Sequence, residues 1–242
     1  MPRIAAQPSL SEQQAAPGGV GAVDRAISLL DVFTPDRPLL TLAELAQESR
    51  QYKSTVLRLL ASLMHSHVVE RHADGRFSLG STIPRLHAVY AASFSLESVV
   101  MPALRELVDA TRESAAFHIR QGTKRLCLYG VDSPQTVRDH PQVGALVPLG
   151  SGAAGRIFTM YANAPAAAAK RQPREPYVIT PAEAVREVAA IAAPVFDAAG
   201  ALAGVIALTM PAMRLQRAHA ADVQRSAAKV TGELGGRHPP TT

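Results

Sequence analysis

Two short stretches carry residue types whose spacing could do chemistry. The first runs from Gln51 through Lys53, Ser54, Thr55 and Arg58 to Ser62 and His65, with no Asp or Glu between Arg50 and Val69. An acid-free polar face studded with cations suits a groove lined by phosphates. On a helical wheel of about 100° per residue, Gln51, Ser54, Arg58, Ala61, Ser62 and His65 share one side. Val56, Leu59, Leu60 and Leu63, with Tyr52, take the other side and are expected to be buried. Gln51 and Arg58 can reach base edges, whereas Lys53, Ser54 and Thr55 suit phosphate oxygens near a helix N-terminus. Arg71, His72 and Arg76 would follow the backbone or the minor groove from the tip of a hairpin. The competing reading is a polar helix face that only meets water.

The second stretch, GSGAAG at 150–155, spells the G-x-G-x-x-G of a dinucleotide site. That chemistry needs an uninterrupted apolar strand before it and a βαβ unit with an acid about 20 residues on. Here Pro148 interrupts the strand, and Glu175 sits in an Ala/Pro-rich loop at 162–176. A nicotinamide or flavin site is therefore not expected. What survives is a glycine-rich start to a helix. Its exposed N–H groups attract an anion such as a small carboxylate, or Gly152 and Gly155 simply permit tight helix–strand packing, or both.

Catalysis lacks residues to carry it, since no G-x-S-x-G, Walker A or paired-carboxylate arrangement occurs. Cys127, flanked by Leu126 and Leu128, reads as a core residue rather than a thiol sensor, and one cysteine allows no intrachain disulfide. His65, His67 and His72 lack the Cys or acid that would complete a metal site, so neither metal nor cofactor is expected. His118 falls on a strand, where it is either satisfied, exposed or turned to a pocket.

The elements that must position these residues follow from composition and periodicity. Of 242 residues, 47% are hydrophobic and 19% charged, which describes a globular protein long enough for two small domains. No window approaches the roughly 18–20 uninterrupted apolar residues of a membrane span, and the N-terminus shows no apolar signal region. The net charge of +5 is misleading: residues 1–80 hold eight Lys+Arg and eight Asp+Glu, while 81–242 hold 17 and 12. A nucleic-acid face must therefore come from local placement.

Residues 1–19, rich in Pro, Gln, Ser and Gly, are expected to be a disordered tail. A helix over 22–33 buries Val23, Ala26, Ile27, Leu30 and Phe33. Thr41 and Glu44 have capping-box spacing and open a second helix, and a third runs over 52–65. Asp74-Gly75 supplies the turn of a hairpin over 68–79. Three helices and a hairpin are the order of a winged helix-turn-helix. Residues 81–113 are helical with a kink or boundary at Pro102. Strands then follow at 117–120, 126–129 and 144–149, a helix at 153–162, a hairpin over 188–210 and a last helix over 218–234. The second half is thus α+β, an antiparallel sheet flanked by helices.

The combination resembles IclR-family transcriptional regulators. The residues that carry the likeness are Ala22-Val-Asp-Arg-Ala-Ile-Ser-Leu-Leu30, Thr41-Leu-Ala-Glu-Leu-Ala46, Ser54–Leu63 and Gly75-Arg-Phe-Ser-Leu-Gly80, with Ile191-Ala-Ala-Pro-Val-Phe-Asp-Ala-Ala-Gly200 matching the signature of the effector domain. The resemblance spans about 20–236. It implies a winged helix-turn-helix at 20–80, a linker helix at 81–95, a GAF-like effector domain at 96–236 and a tail at 237–242. It also implies an effector pocket for a small organic or aromatic acid. The amides of Ala153 and Ala154 would meet the carboxylate, Leu149 would pack beside it, Thr209 would offer its hydroxyl, and Glu183 matches the family's acid. The segment 161–187 is shorter than the family's insert, and Pro176 stands where a glycine is usual. On that reading one pocket wall is thin, rebuilt or missing.

The function expected is a cytoplasmic, DNA-binding repressor or activator that responds to a small carboxylate metabolite. One winged helix contacts too few bases for operator-level affinity, so a homodimer or dimer of dimers on a pseudo-palindromic double-stranded operator is expected, with no membrane partner. The alternatives are a regulator with a degenerate pocket and a small-molecule enzyme fused to a winged helix.

Overall fold

The computed structural model describes residues 9, 11, 15–93, 96–161, 177–181 and 187–236. Two compact units divide between Ser93 and Phe94. In the first, α1 (Gly21–Leu30), α2 (Leu42–Glu48) and α3 (Lys53–His65) precede a hairpin of β1 (Val69–Arg71) and β2 (Phe77–Leu79), followed by α4 (Thr82–Ser93).

Helix α2 begins at a complete capping box. The Glu44 N–H donates to Thr41 Oγ1 (3.3 Å) and the Thr41 N–H to the Glu44 carboxylate (2.8 Å). The Thr41 N–H, followed by the Thr41 hydroxyl that also donates to the carboxylate (2.8 Å), holds the Glu44 carboxyl below its ordinary range. Leu29, Leu40, Leu45, Val56, Leu60, Val69 and Phe77 close a core between the helices and the hairpin. Leu40 exchanges backbone hydrogen bonds with Phe77 (3.0 and 2.7 Å), a single bridge that ties the loop before α2 to the wing.

Helix α1 is turned differently from its apolar spacing. Its buried residues are Ser28 and Leu29, while Val23 and Ile27 are 57% and 53% exposed, next to Val20 at 66%. The small Ser28 lets the turn between α2 and α3 press against α1, where Gln51 hydrogen-bonds to it. An apolar stripe is left on the opposite side.

In the second unit α5 (Leu96–Thr111) leads into β3 (Ser114–Gln121), β4 (Lys124–Val131), β5 (Leu146–Pro148), α6 (Gly152–Tyr161), β6 (Val178–Thr180), β7 (Val188–Phe196), β8 (Leu202–Pro211), a single 3-10 turn (Ala212–Arg214) and α7 (His219–Glu233). Pro102 lies inside α5 rather than at a break. The six strands form one antiparallel sheet in the order β5-β4-β3-β8-β7-β6.

Helices cover both faces, and this explains why β7 and β8 are almost wholly apolar instead of alternating. Ile191, Ala193, Val195, Ile206 and Leu208 pack with Leu104, Val223 and Val230 of α5 and α7. Ala192, Val205 and Ala207 face Ala153, Ala154, Ile157 and Phe158 of α6. Helix α7 ends in a Schellman arrangement, with the N–H of Gly236 donating to Thr231 O (2.8 Å) and that of Gly235 to Gly232 O (3.0 Å). Among the described residues no helix is long and apolar enough to cross a membrane.

Candidate nucleic-acid interface and effector cavity

In the N-terminal unit the four-residue turn before α3 decides which side chains face outward. Arg50 adopts a left-handed conformation (φ 54°) and Tyr52 caps α3 in an extended one (φ −66°, ψ 140°), so the helical wheel does not extend back to 51 and 52. The two residues therefore exchange their expected places. Gln51 is buried, its Nε2 donating to Arg25 O and Ser28 Oγ, both at 3.2 Å, whereas Tyr52 is 77% exposed. Gln51 is thus a structural clamp between α1 and α3, not a group that can reach a base edge.

The rest of the predicted face is presented. Lys53, Ser54, Arg58 and Ser62 are exposed, with Ala61 and His65 beside them, and Thr55 is half-buried. Leu57 adds an exposed apolar position that the wheel did not single out. Val56 and Leu60 hold the helix to the core. Among the described residues neither Lys53 nor Arg58 enters an ion pair, so both charges stay available to a polyanion. On the wing the guanidinium of Arg71 lies 5.8 Å from the centre of the Phe77 ring. Arg76 is held by Asp74, with Nη2 at 2.7 Å and Nε at 2.8 Å from one carboxylate oxygen. Bonds from Arg76, first through its backbone N–H, keep the Asp74 carboxyl below its ordinary range. His72 meets Ser78 at 2.9 Å.

In the C-terminal unit a cavity of about 380 Å³ opens between the sheet and the first turn of α6. Its floor includes Ala116, Ala190, Ala207 and Thr209, and its rim Ser151, Gly152, Ala153 and Ala154. GSGAAG makes this junction possible for two separate reasons. Gly152 turns the chain at φ +66°, which L side chains rarely adopt, and a Cβ at Gly155 would sit 2.1 Å from the Leu149 carbonyl oxygen. Leu149 packs against the α6 cluster without lining the cavity. Among the described residues α6 joins no βαβ unit, since β5 and β6 lie at opposite edges of an antiparallel sheet.

Thr209 lines the cavity, and its buried Oγ1 has no hydrogen-bond partner among the described residues. Glu183 and the loop 162–176 lie outside the described residues.

The cavity also gathers groups that no motif joins. His118, on β3, has an unpartnered Nδ1. Burial, helped by the nearby Arg125 charge, pushes its pKa down to about 3, so the imidazole is neutral. Arg125, on β4, donates from Nη1 to Pro148 O (3.0 Å) and Ser151 O (2.7 Å), and its Nε is unpartnered. Burial lowers its pKa as well. Cys127 is a buried core thiol that also touches the cavity, and desolvation raises its pKa to about 11. Asp139 and Thr180 also line the cavity. Only strand register could have revealed the set: Cys127 pairs with His118, and Thr209 with Ser114.

A three-helix unit with a wing and free cations on its third helix, in one chain with a helix-flanked sheet enclosing a cavity, defines a winged-helix regulator with a sensor domain. Family comparison gives the particular group. The IclR helix-turn-helix domain matches residues 22–73, and the bacterial transcriptional regulator IclR C-terminal domain matches residues 88–172. The chain is 27% identical to the HTH-type regulator KipR of Bacillus subtilis over 139 residues, which is 57% of this chain and 55% of KipR. It is 26% identical to the HTH-type regulator BhcR of Paracoccus denitrificans over 245 aligned positions, covering 90% of this chain and 87% of BhcR. It shares its fold with an IclR homologue of Microbacterium hydrocarbonoxydans complexed with 4-hydroxybenzoate, at TM-score 0.74 and 17% identity over 88% of this chain and 98% of that one. The chain belongs to the IclR family of transcriptional regulators and is not an enzyme.

Proposed function

We propose that α3 enters the major groove of duplex DNA, with Arg58 at base edges, Lys53, Ser54 and Thr55 on phosphates, Ser62 farther along the groove, and Arg71 and Arg76 on the flanking backbone. A small carboxylic acid bound in the cavity then favours one arrangement of paired reading heads over another, as repressor or activator. The observation that carries the DNA reading is the exposed, acid-free face of α3 with Lys53 and Arg58 unpaired among the described residues. The exposed stripe Val20, Val23 and Ile27 supports a second copy of the chain, hence a homodimer or dimer of dimers on a pseudo-palindromic operator in the cytoplasm. The 4-hydroxybenzoate bound by the Microbacterium relative supports a small, ring-sized acid for a cavity of about 380 Å³.

Binding to a fragment of the promoter, measured by fluorescence anisotropy from low to high salt, tests the DNA reading. Affinity should fall steeply with salt, as counterion release requires. Arg58→Ala should cost roughly 1–3 kcal/mol and relax base preference, and Lys53→Ala should weaken all sequences alike and reduce the salt slope by about 1. Salt-independent binding, or an Arg58→Ala protein that binds as before, removes α3 from the interface. Ala153→Phe, which fills the cavity rim, should abolish the response to effector while operator binding stays intact.

A further inference from the structure

Resting on the effector reading above, we propose that Arg125 is the counter-ion of the bound acid and that Thr209 receives a second hydrogen-bonding group at the acid's far end. The cavity would then select small carboxylic acids with a second polar function.

Arg125 is placed as a charge without a mate. Its Nη1 is fixed by the carbonyls of Pro148 and Ser151, its Nε is buried without a partner, and no carboxylate among the described residues comes within ion-pair distance. Those two carbonyls neutralise no charge. They pin the guanidinium beneath the first turn of α6, whose free N–H groups add a second positive source in the same place. Arg125 is half-buried with its Nε wholly so, and a cation partly withdrawn from water in this way gains from an anion that completes it. Asp139 is the one carboxylate among the described lining residues and pairs with neither Arg125 nor any other described cation, while the neighbouring His140 is taken by Asp132 at 2.7 Å. The neutral His118 adds no competing positive charge. One anionic group, brought by the ligand, satisfies both the guanidinium and the helix end.

Thr209 poses a separate demand. Its register partner on β3 is Ser114, whereas Arg125 stands opposite Arg120, six residues along. At about 3.3 Å per residue the two backbone positions lie roughly 20 Å apart, at opposite ends of the cavity. Between them Ala116 and Ala207, paired in register, leave a small-sided floor. A single carboxyl group cannot serve both ends. The unpartnered Thr209 Oγ1 therefore calls for a hydroxyl, carbonyl or second carboxylate on the same molecule.

The test uses the full-length protein and matched ligands, with affinity read by isothermal titration. One set is 4-hydroxyphenylacetate, phenylacetate and 4-hydroxyphenylacetamide; the other is adipate, hexanoate and adipamide. In at least one set the two-function acid should bind about tenfold more tightly than both the acid lacking the second group and the neutral amide. Arg125→Met should erase the preference for acid over amide, with Arg125→Lys restoring part of it, and Thr209→Val should erase only the preference for the second group. The wild-type comparison stands alone if a variant fails to fold. Amides that bind wild type as tightly as acids, or an Arg125→Met protein that still prefers acids, overturn the counter-ion. Wild type that binds an acid but is indifferent to the second group overturns the role of Thr209. If none of the six compounds binds while the operator complex forms normally, the effector reading itself falls, and this inference with it.

Discussion

The recognition face of α3 and the cavity beneath α6 use polar side chains in opposite ways. On α3 the polar groups project into water, cost nothing to leave unpaired, and wait for a partner that arrives as a surface. In the cavity, His118, Arg125 and Thr209 each hold a buried polar atom with no partner among the described residues. Such atoms destabilise a fold by about 1–3 kcal/mol each unless something completes them. The first site is thus recognised by what is absent from its neighbourhood, acids above all. The second is recognised by unmet demand. One belongs to a single helix and the other to several strands and a helix start.

The contrast can be broken at several points. The largest effect should come from Gly155→Val, which drives a side chain into the Leu149 carbonyl and should cost at least about 3 kcal/mol. Gly150→Ala in the same motif meets nothing within 4 Å and should stay within about 0.5 kcal/mol. Urea unfolding followed by circular dichroism measures both, and equal costs would refute the division of labour between the two glycines.

Next comes the pH dependence of the cavity. His118 is held near a pKa of 3 by burial, while an unfolded histidine titrates near 6.5. Between those values the unfolded chain takes up a proton that the native one refuses. Stability is therefore full above about pH 6.5 and is lost as pH falls toward 3. His118→Asn should flatten this acid limb by up to about 1.4 kcal/mol per pH unit, whereas no substitution on the exposed face of α3 should alter it. Parallel curves for the variant and wild type would mean that His118 is solvated.

The smallest effect sharpens the interface itself. Gln51→Ala should lower stability by about 1 kcal/mol and leave the operator affinity of the folded protein unchanged, the reverse of Arg58→Ala. A Gln51→Ala protein with altered base preference would return that residue to the groove.

Much of the fold was legible because its signals are local. The Thr41–Glu44 capping box, the Asp74-Gly75 turn and the acid-free run after Arg50 are each contained in a few residues. The errors fall where a neighbouring element overrides periodicity. The left-handed Arg50 resets the phase of the chain just before α3, so Gln51 and Tyr52 trade burial. The docking of that turn on Ser28 rotates α1 away from the stripe its apolar spacing suggests. For the cavity, the family resemblance pointed to Ala153, Ala154 and Thr209, which line it, while His118 was left between core, surface and pocket and Arg125 went unassigned. A lone arginine on a strand carries no sign of which face it occupies or what lies opposite.

By itself the sequence determined the order of the helices and of every strand but β6, the helix starts and the cationic side of α3, because those depend on contacts within one or two turns of chain. Tertiary structure alone decided that Gln51 is a clamp, that Gly155 allows α6 to touch the preceding loop, and that a guanidinium from β4 sits under that helix. These outcomes depend on strand register and helix docking, in which residues remote along the chain fix one another's surroundings.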